Sequence, residues 1–248
     1  MSYKLSTNDT VIDCRTSVSI PPIPHSATLQ LVQLAPELSY ILVVEKHTVF
    51  TSLVSARYTA IHHCLLLTGC GFADTATRDF LVQLTQQLPL LPVYALVDCD
   101  VYGLSIYQSY KYGGKTRGGS GERLVVAKMQ LLGVHVWECK EMKEEMDERC
   151  DGQWEAAMKL TDGDRRRVES MLRAQPVEHD EQLRGELVEM AEFGYKSEVE
   201  ALNAFGGANY LAQQYLPHKV ATMQEEAEEQ PRFAAAAWEE HEEEQRWE

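Results

Sequence analysis

Apolar residues in the first half of this chain come in short unbroken runs. Tyr40-Ile41-Leu42-Val43-Val44, His63 to Thr68 and Val93 to Val97 are five or six residues each and largely aliphatic. That is the pattern of strands buried on both faces inside a parallel sheet. Between them the period changes to that of a helix. His47 to about Arg57, Thr75 to Leu88 and Leu104 to Tyr112 have helical spacing, with Phe80, Leu81, Leu84 and Leu88 on one side of the second. Strand then helix, three times over from Tyr40 to Tyr112, implies an α/β fold with a mainly parallel sheet and right-handed crossovers. Leu132 to Trp137 reads as a further strand, and Lys140 to Arg149 as an exposed helix with Glu and Lys at helical spacings. Thr161, with Asp164 three residues on, marks a helix start, and Glu181 to Phe193 is another helix. The chain thus divides into a turn-rich lead-in (1–39), an α/β domain (40–139), a helical extension (140–222) and a disordered acidic tail (223–248).

Two of the apolar runs end in acids. Asp98 and Asp100 follow Val97 and, two apart in extended chain, point to the same side. Glu45 ends the Tyr40 run. In open α/β sheets ligands bind at the carboxyl ends of the strands. If these two strands are neighbours, Glu45, Asp98 and Asp100 converge into a three-carboxylate site, and hard oxygen donors suit Mg2+ better than zinc or copper. A structural reading stays open: the aspartates cap a helix opened by Gly103, and Glu45 complements a helix dipole. The turn Gly69 to Asp74 brings Gly69 and Gly71 toward the same edge, where their N–H groups, with Arg78 as counter-charge, would hold a phosphate. An αL turn with no ligand explains those glycines too.

Charge argues against a polyanion partner at first sight, since the formal net charge is −15. However, Gln224 to Glu248 holds ten Glu and two Arg, so −8 of that sits in the tail. Lys111, Lys115, Arg117 and Arg123 surround a glycine-rich loop, Gly113 to Gly121, which reads either as a segment that closes on a phosphate backbone or as a flexible solvated loop; Arg165-Arg166-Arg167 reads as a solvated helix face. The six cysteines show no CxxC pairing and read as buried reduced thiols. No run of 18 apolar residues and no signal peptide is present, so a soluble, intracellular protein without a membrane partner is expected.

An acid ending the first strand and an Asp-x-Asp ending a later one, in this order, resembles the Toprim fold of topoisomerases and bacterial-type primases. More specifically, Ile41 to Phe50, Leu65 to Leu84 and Leu96 to Gly114 are similar to blocks shared by the A-type chain of topoisomerase VI and its eukaryotic relative, the meiotic double-strand-break protein. Leu160 to Leu172, Glu181 to Phe193 and Tyr195 to Val220 resemble that family's C-terminal helices. Cys70 stands where the family has Lys, Ala73 and Val101 where it has Pro, and Gly114 where it has Ser.

The resemblance implies a Toprim-type domain in which Glu45, Asp98 and Asp100 hold Mg2+, and Gly69, Gly71, Arg78, Lys111, Lys115 and Arg117 face DNA phosphates. It implies a homodimer or a dimer with a full-length A-type chain, and a B-type ATPase as further partner. It also implies a nuclear, chromosomal location in a eukaryote or a cytoplasmic one otherwise. In the family a winged-helix domain carries the tyrosine nucleophile; residues 1–39 are too short for it, so this chain alone is expected not to cleave DNA. A non-catalytic Toprim dimerisation module is the alternative, and a stand-alone nuclease a third reading.

Overall fold

The computed structural model describes residues 1–7, 10–24, 27–113, 124–149 and 155–229. Lys115, Arg117, Arg123, the rest of the glycine-rich loop past Gly113, Cys150 and the tail beyond 229 lie outside them.

The lead-in is more ordered than its turn residues suggest. Strands β1 (Ser2–Leu5), β2 (Ile12–Asp13) and β3 (Leu29–Gln33) form an antiparallel sheet in the order β2-β1-β3. The central sheet follows: β4 (Tyr40–Val44), β5 (Cys64–Thr68), β6 (Val93–Leu96) and β7 (Met129–Gly133), all parallel, in the order β5-β4-β6-β7. Every residue of β4 and β6 is buried, as their unbroken apolar runs require. The crossovers are α1 (His47–Ser55) with α2 (Tyr58–His62), then α3 (Thr75–Gln87) and α4 (Val101–Tyr112). The chain leaves β4 to one side for β5 and returns past it to β6. The carboxyl ends of β4 and β6 therefore flank the point where strand order reverses, and a crevice forms there.

Side chains of α3 dock the lead-in sheet: Leu29 N donates to Gln83 Oε1 at 2.6 Å and Gln87 Nε2 donates to the Leu29 carbonyl at 2.9 Å. Tyr3 packs edge-on against Phe80 with ring centroids 5.0 Å apart.

The fourth central strand is shifted from its expected place at 132–137. It ends at Gly133, and Val136 and Trp137 instead begin α5 (Val136–Arg149). The expected domain boundary at 139/140 consequently falls inside a helix. The rest of the chain adds β8 (Ala157–Lys159), α6 (Asp162–Leu172), α7 (Gln175–Glu178), α8 (Glu181–Phe193), β9 (Tyr195–Ser197) and α9 (Ala201–Gly206), then a π-turn Leu211–Tyr215 leading into α10 over residues 216–229. The tail expected to start at 223 is thus helical through 229.

The extension shares the core of the α/β unit. Glu186 of α8 accepts Val136 N at 2.9 Å and pairs with His135 Nδ1 at 2.6 Å, while Tyr215 Oη donates to Glu138 Oε2 at 2.8 Å. These carboxylates meet free N–H groups at the start of α5, where a helix end needs acceptors. Helix α6 starts with the expected capping box between Thr161 and Asp164. Cys64, Cys99 and Cys139 are buried free thiols, Cys14 is half-buried, and Cys70, expected to be buried, is exposed. No described helix is long and apolar enough to cross a membrane.

Candidate metal centre

Strands β4 and β6 are adjacent in register, so Glu45 and Asp98 leave the sheet side by side. Glu45 N donates to the Leu96 carbonyl at 3.0 Å, and Glu45 Oε2 accepts Asp98 N at 2.9 Å. Asp100 is the N-cap of α4, its Oδ1 accepting Tyr102 N at 2.9 Å and Gly103 N at 2.7 Å. A Cβ on Gly103 would collide with the Asp98 carbonyl, so the chain turns sharply from strand to helix only because this residue is glycine. These contacts put Glu45 and Asp98 together at one edge, and the capping role expected of Asp100 is present.

The charges interact strongly. Burial, and then the negative charge of Asp98, pushes the Glu45 carboxyl up to about 7. Burial raises Asp98 to about 6, although the Val199 N–H and Lys46 pull the other way. Carboxyls displaced in this direction mark a place short of positive charge.

A feature not expected from sequence supplies part of that charge. Lys46 Nζ lies 3.0 Å from Asp98 Oδ2, 3.1 Å from Glu198 Oε2 and 2.9 Å from Glu200 Oε2. Burial alone would depress this ammonium, but hydrogen bonds to Glu200 and Asp98 override it and hold it above its ordinary value. Residues Ser197 to Glu200 form a strap along the edge: Ser197 N donates to the Cys99 carbonyl at 3.0 Å, Val199 N to Asp98 Oδ1 at 2.8 Å, and Thr48 Oγ1 to Glu200 Oε1 at 3.0 Å. Asp98 therefore has both oxygens engaged. Glu45 Oε1 and Asp100 Oδ2 have no hydrogen-bond partner among the described residues.

Among the described residues no group of three or more His, Cys, Asp or Glu side chains is gathered closely enough to hold a metal ion. The donor chemistry nonetheless suits a hard divalent cation, with two free carboxylate oxygens beside a third carboxylate and raised carboxyl pKa values. A cleft of about 330 Å³ opens at this point, lined by Glu45, Lys46, His47, Thr48, Cys70 and Gly71.

Among the other described candidates, the Gly69–Gly71 turn lies against the Glu45 strand end. Gly71 N donates to the Glu45 carbonyl at 2.9 Å and Cys70 N to Thr68 Oγ1 at 3.1 Å, so this turn spends those N–H groups internally. Gly71 has φ +100°, and a Cβ on Gly69 would lie 2.7 Å from both Ala73 Cβ and Tyr110 Oη. Both glycines thus have backbone reasons to be there. Arg78 lies on α3 with its Nε buried and unpartnered. Lys111 Nζ is tied to Asp180 Oδ2 at 3.0 Å and Tyr107 Oη at 2.8 Å. The lysine is drawn onto these internal partners.

The family model for the Toprim domain of the topoisomerase 6 A subunit/Spo11 matches residues 40–220. Meiotic recombination protein SPO11-1 of Oryza sativa subsp. indica is 34% identical over 211 residues, 84% of this chain and 52% of that protein. The A subunit of type 2 DNA topoisomerase 6 from Aeropyrum pernix is 34% identical over 184 residues, 74% of this chain and 47% of that protein. The human meiotic recombination protein SPO11 is 28% identical over 212 residues, 85% of the chain and 51% of that protein. The chain spans about half the length of these curated relatives. With the family model covering most of its length and its α/β fold agreeing, the chain belongs to the topoisomerase 6 A subunit/Spo11 family through its Toprim domain.

Proposed function

We propose that this chain supplies the metal-holding half of a site that breaks DNA strands by transesterification, within a topoisomerase VI A-like protein that starts meiotic recombination. The observation that carries the reading is the placing of Glu45 against Asp98 at the switch point of the sheet, with Asp100 two residues on and Glu45 and Asp98 both shifted toward protonation by burial and by a neighbouring aspartate. Mg2+ is the cation proposed, and it would stabilise charge on the scissile phosphate and the leaving oxygen. Glu45 and Asp100 would hold it through their free oxygens. Asp98, held by Lys46 and Val199 N, would fix the edge beside them.

The tyrosine nucleophile is proposed to come from outside the described residues. Tyr3 is buried with an unpartnered hydroxyl, and burial pushes it up to about 12, the wrong direction for an attacking phenolate. The proposed partners are DNA, a second A-type chain and a B-type ATPase, on chromosomes in the nucleus. Exposed Arg165 and Arg166 remain for phosphate contact; Lys115, Arg117 and Arg78 keep that proposed role, whereas Lys111 and the Gly71 N–H are spent on internal partners.

A second reading, a non-catalytic dimerisation module, is favoured by one observation: Lys46 already occupies one oxygen of Asp98. The two readings separate on DNA cleavage when a winged-helix tyrosine domain of the family is added in trans with Mg2+. Covalent protein–DNA adducts abolished by Asp98→Ala support the first, and their absence with wild-type chain supports the second.

A further inference from the structure

The carboxylate edge is electrically two-sided. On the β4 side the strap places Glu198 and Glu200 around Lys46. On the α4 side, Tyr102 stands two residues past Asp100, a residue 45% exposed, and Arg167 of α6 lies over its ring with Cζ 4.8 Å from the centroid. The same guanidinium is also held at Nε, which donates to Ser105 Oγ at 3.1 Å, and that hydroxyl donates to the Val101 carbonyl at 2.7 Å. Its two Nη groups find no hydrogen-bond partner among the described residues. A guanidinium fixed by Nε and by a ring, with its fork free, is a preorganised receptor for an oxyanion.

Along α6 itself the charge balance is positive. Asp164 is neutralised by Lys196 at 2.8 Å and Glu169 is paired with Arg173 at 3.5 Å. That leaves Arg165, Arg166 and Arg167 opposed on α6 by Asp162 alone. The arginine triplet is therefore more than a solvated helix face: its third member is built into the edge.

We propose that Tyr102 and Arg167 form a strand grip beside the metal edge, the Arg167 fork on a backbone phosphate of DNA and the exposed face of Tyr102 against the adjoining sugar or base. The acidic strap repels the backbone from the β4 side, so the polyanion crosses the edge over α4. This rests on the DNA-acting reading above and adds to it which residues hold the strand and from which side it enters.

The test is binding of a fluorescein-labelled DNA duplex by anisotropy over a series of KCl concentrations, using the full chain, Arg167→Gln, Arg167→Lys, Tyr102→Ala, Tyr102→Phe and, as control, Arg173→Gln. The grip predicts that Arg167→Gln weakens binding and flattens the logarithmic salt slope by about 1, one phosphate contact fewer. Tyr102→Ala should weaken binding by about 5- to 100-fold with the slope unchanged, the size of a lost stacking contact. Tyr102→Phe should bind as wild type does, Arg167→Lys should keep the slope while losing affinity, and Arg173→Gln, which frees Glu169 on the same helix, should lose less than Arg167→Gln. Thermal melts separate unfolding from lost contact, and the two conservative variants keep the test open if Arg167→Gln is unstable. Wild-type slope and affinity in Arg167→Gln and Tyr102→Ala overturn the grip and leave the DNA-acting reading standing. Equal losses in Arg167→Gln and Arg173→Gln likewise overturn it, by reducing the effect to net charge. A wild-type chain that binds no DNA overturns both.

Discussion

Val199 donates its backbone N–H to Asp98 Oδ1 at 2.8 Å across 101 residues of chain. A carboxylate at the heart of the proposed site is thus aimed by a segment from the C-terminal part, and Toprim edge and extension are structurally joined there.

Lys46 is the cation that makes this arrangement stable. Lys46→Met leaves Asp98, whose side chain is 7% exposed, without its partner. Losing one partner of a buried pair costs about 3–5 kcal/mol, and with Lys46 a quarter exposed we expect about 1–3. Urea unfolding should show that loss, and added MgCl2 should recover part of it because the divalent ion takes over the neutralising role. A variant as stable as wild type would show that Lys46 does not support the edge.

The two glycines of the β5–α3 turn should fail differently when replaced by Ala. Gly69→Ala puts a Cβ 2.7 Å from Ala73 Cβ and Tyr110 Oη, and overpacking of this kind costs about 1–3 kcal/mol. Gly71→Ala meets no atom within 4 Å but is held at φ +100°, so its cost, about 1 kcal/mol, is backbone strain alone. Denaturation midpoints of the pair check the order; a larger loss in Gly71→Ala would contradict it.

Acid should unfold the protein partly through Asp180. Burial opposes its charge, but bonds from Leu183 N, Tyr112 Oη and Lys111 hold its carboxyl below the ordinary value near 4. A depressed folded-state value means the stabilisation is complete above the unfolded value and is lost as pH falls through the folded one. Between pH 5 and 2, wild type should therefore lose more stability than Asp180→Asn, which starts lower. Parallel pH curves for the two would show that Asp180 contributes nothing to acid sensitivity.

The central sheet was legible because its strands are buried on both faces and so carry unbroken apolar runs, and because Glu45 and Asp98 fall at their ends. The fourth strand was misplaced because Leu131 to Trp137 is apolar almost throughout, while only Gly133 marks the change to a helix that buries Val136 and leaves Trp137 45% exposed. The lead-in sheet is built from strands of two to five residues, with turn residues between them that hide the pairing. Lys46 stood beside Glu45 in plain view, but its partners Glu198 and Glu200 lie about 150 residues away, where acids in a Lys-Ser-Glu-Val-Glu run look like ordinary surface charge. Arg167 was hidden for the same reason, since only tertiary packing tells it from Arg165 and Arg166.

The most direct test of the carboxylate edge is calorimetric titration of Mg2+ or Mn2+, at pH 8, into wild type, Glu45→Gln and the Asp98→Ala, Asp100→Ala double variant. Binding by the wild type, weakened in Glu45→Gln and absent from the double variant, is the predicted result. Equal binding by all three, or none by a folded wild type with DNA present, would contradict the metal-holding edge.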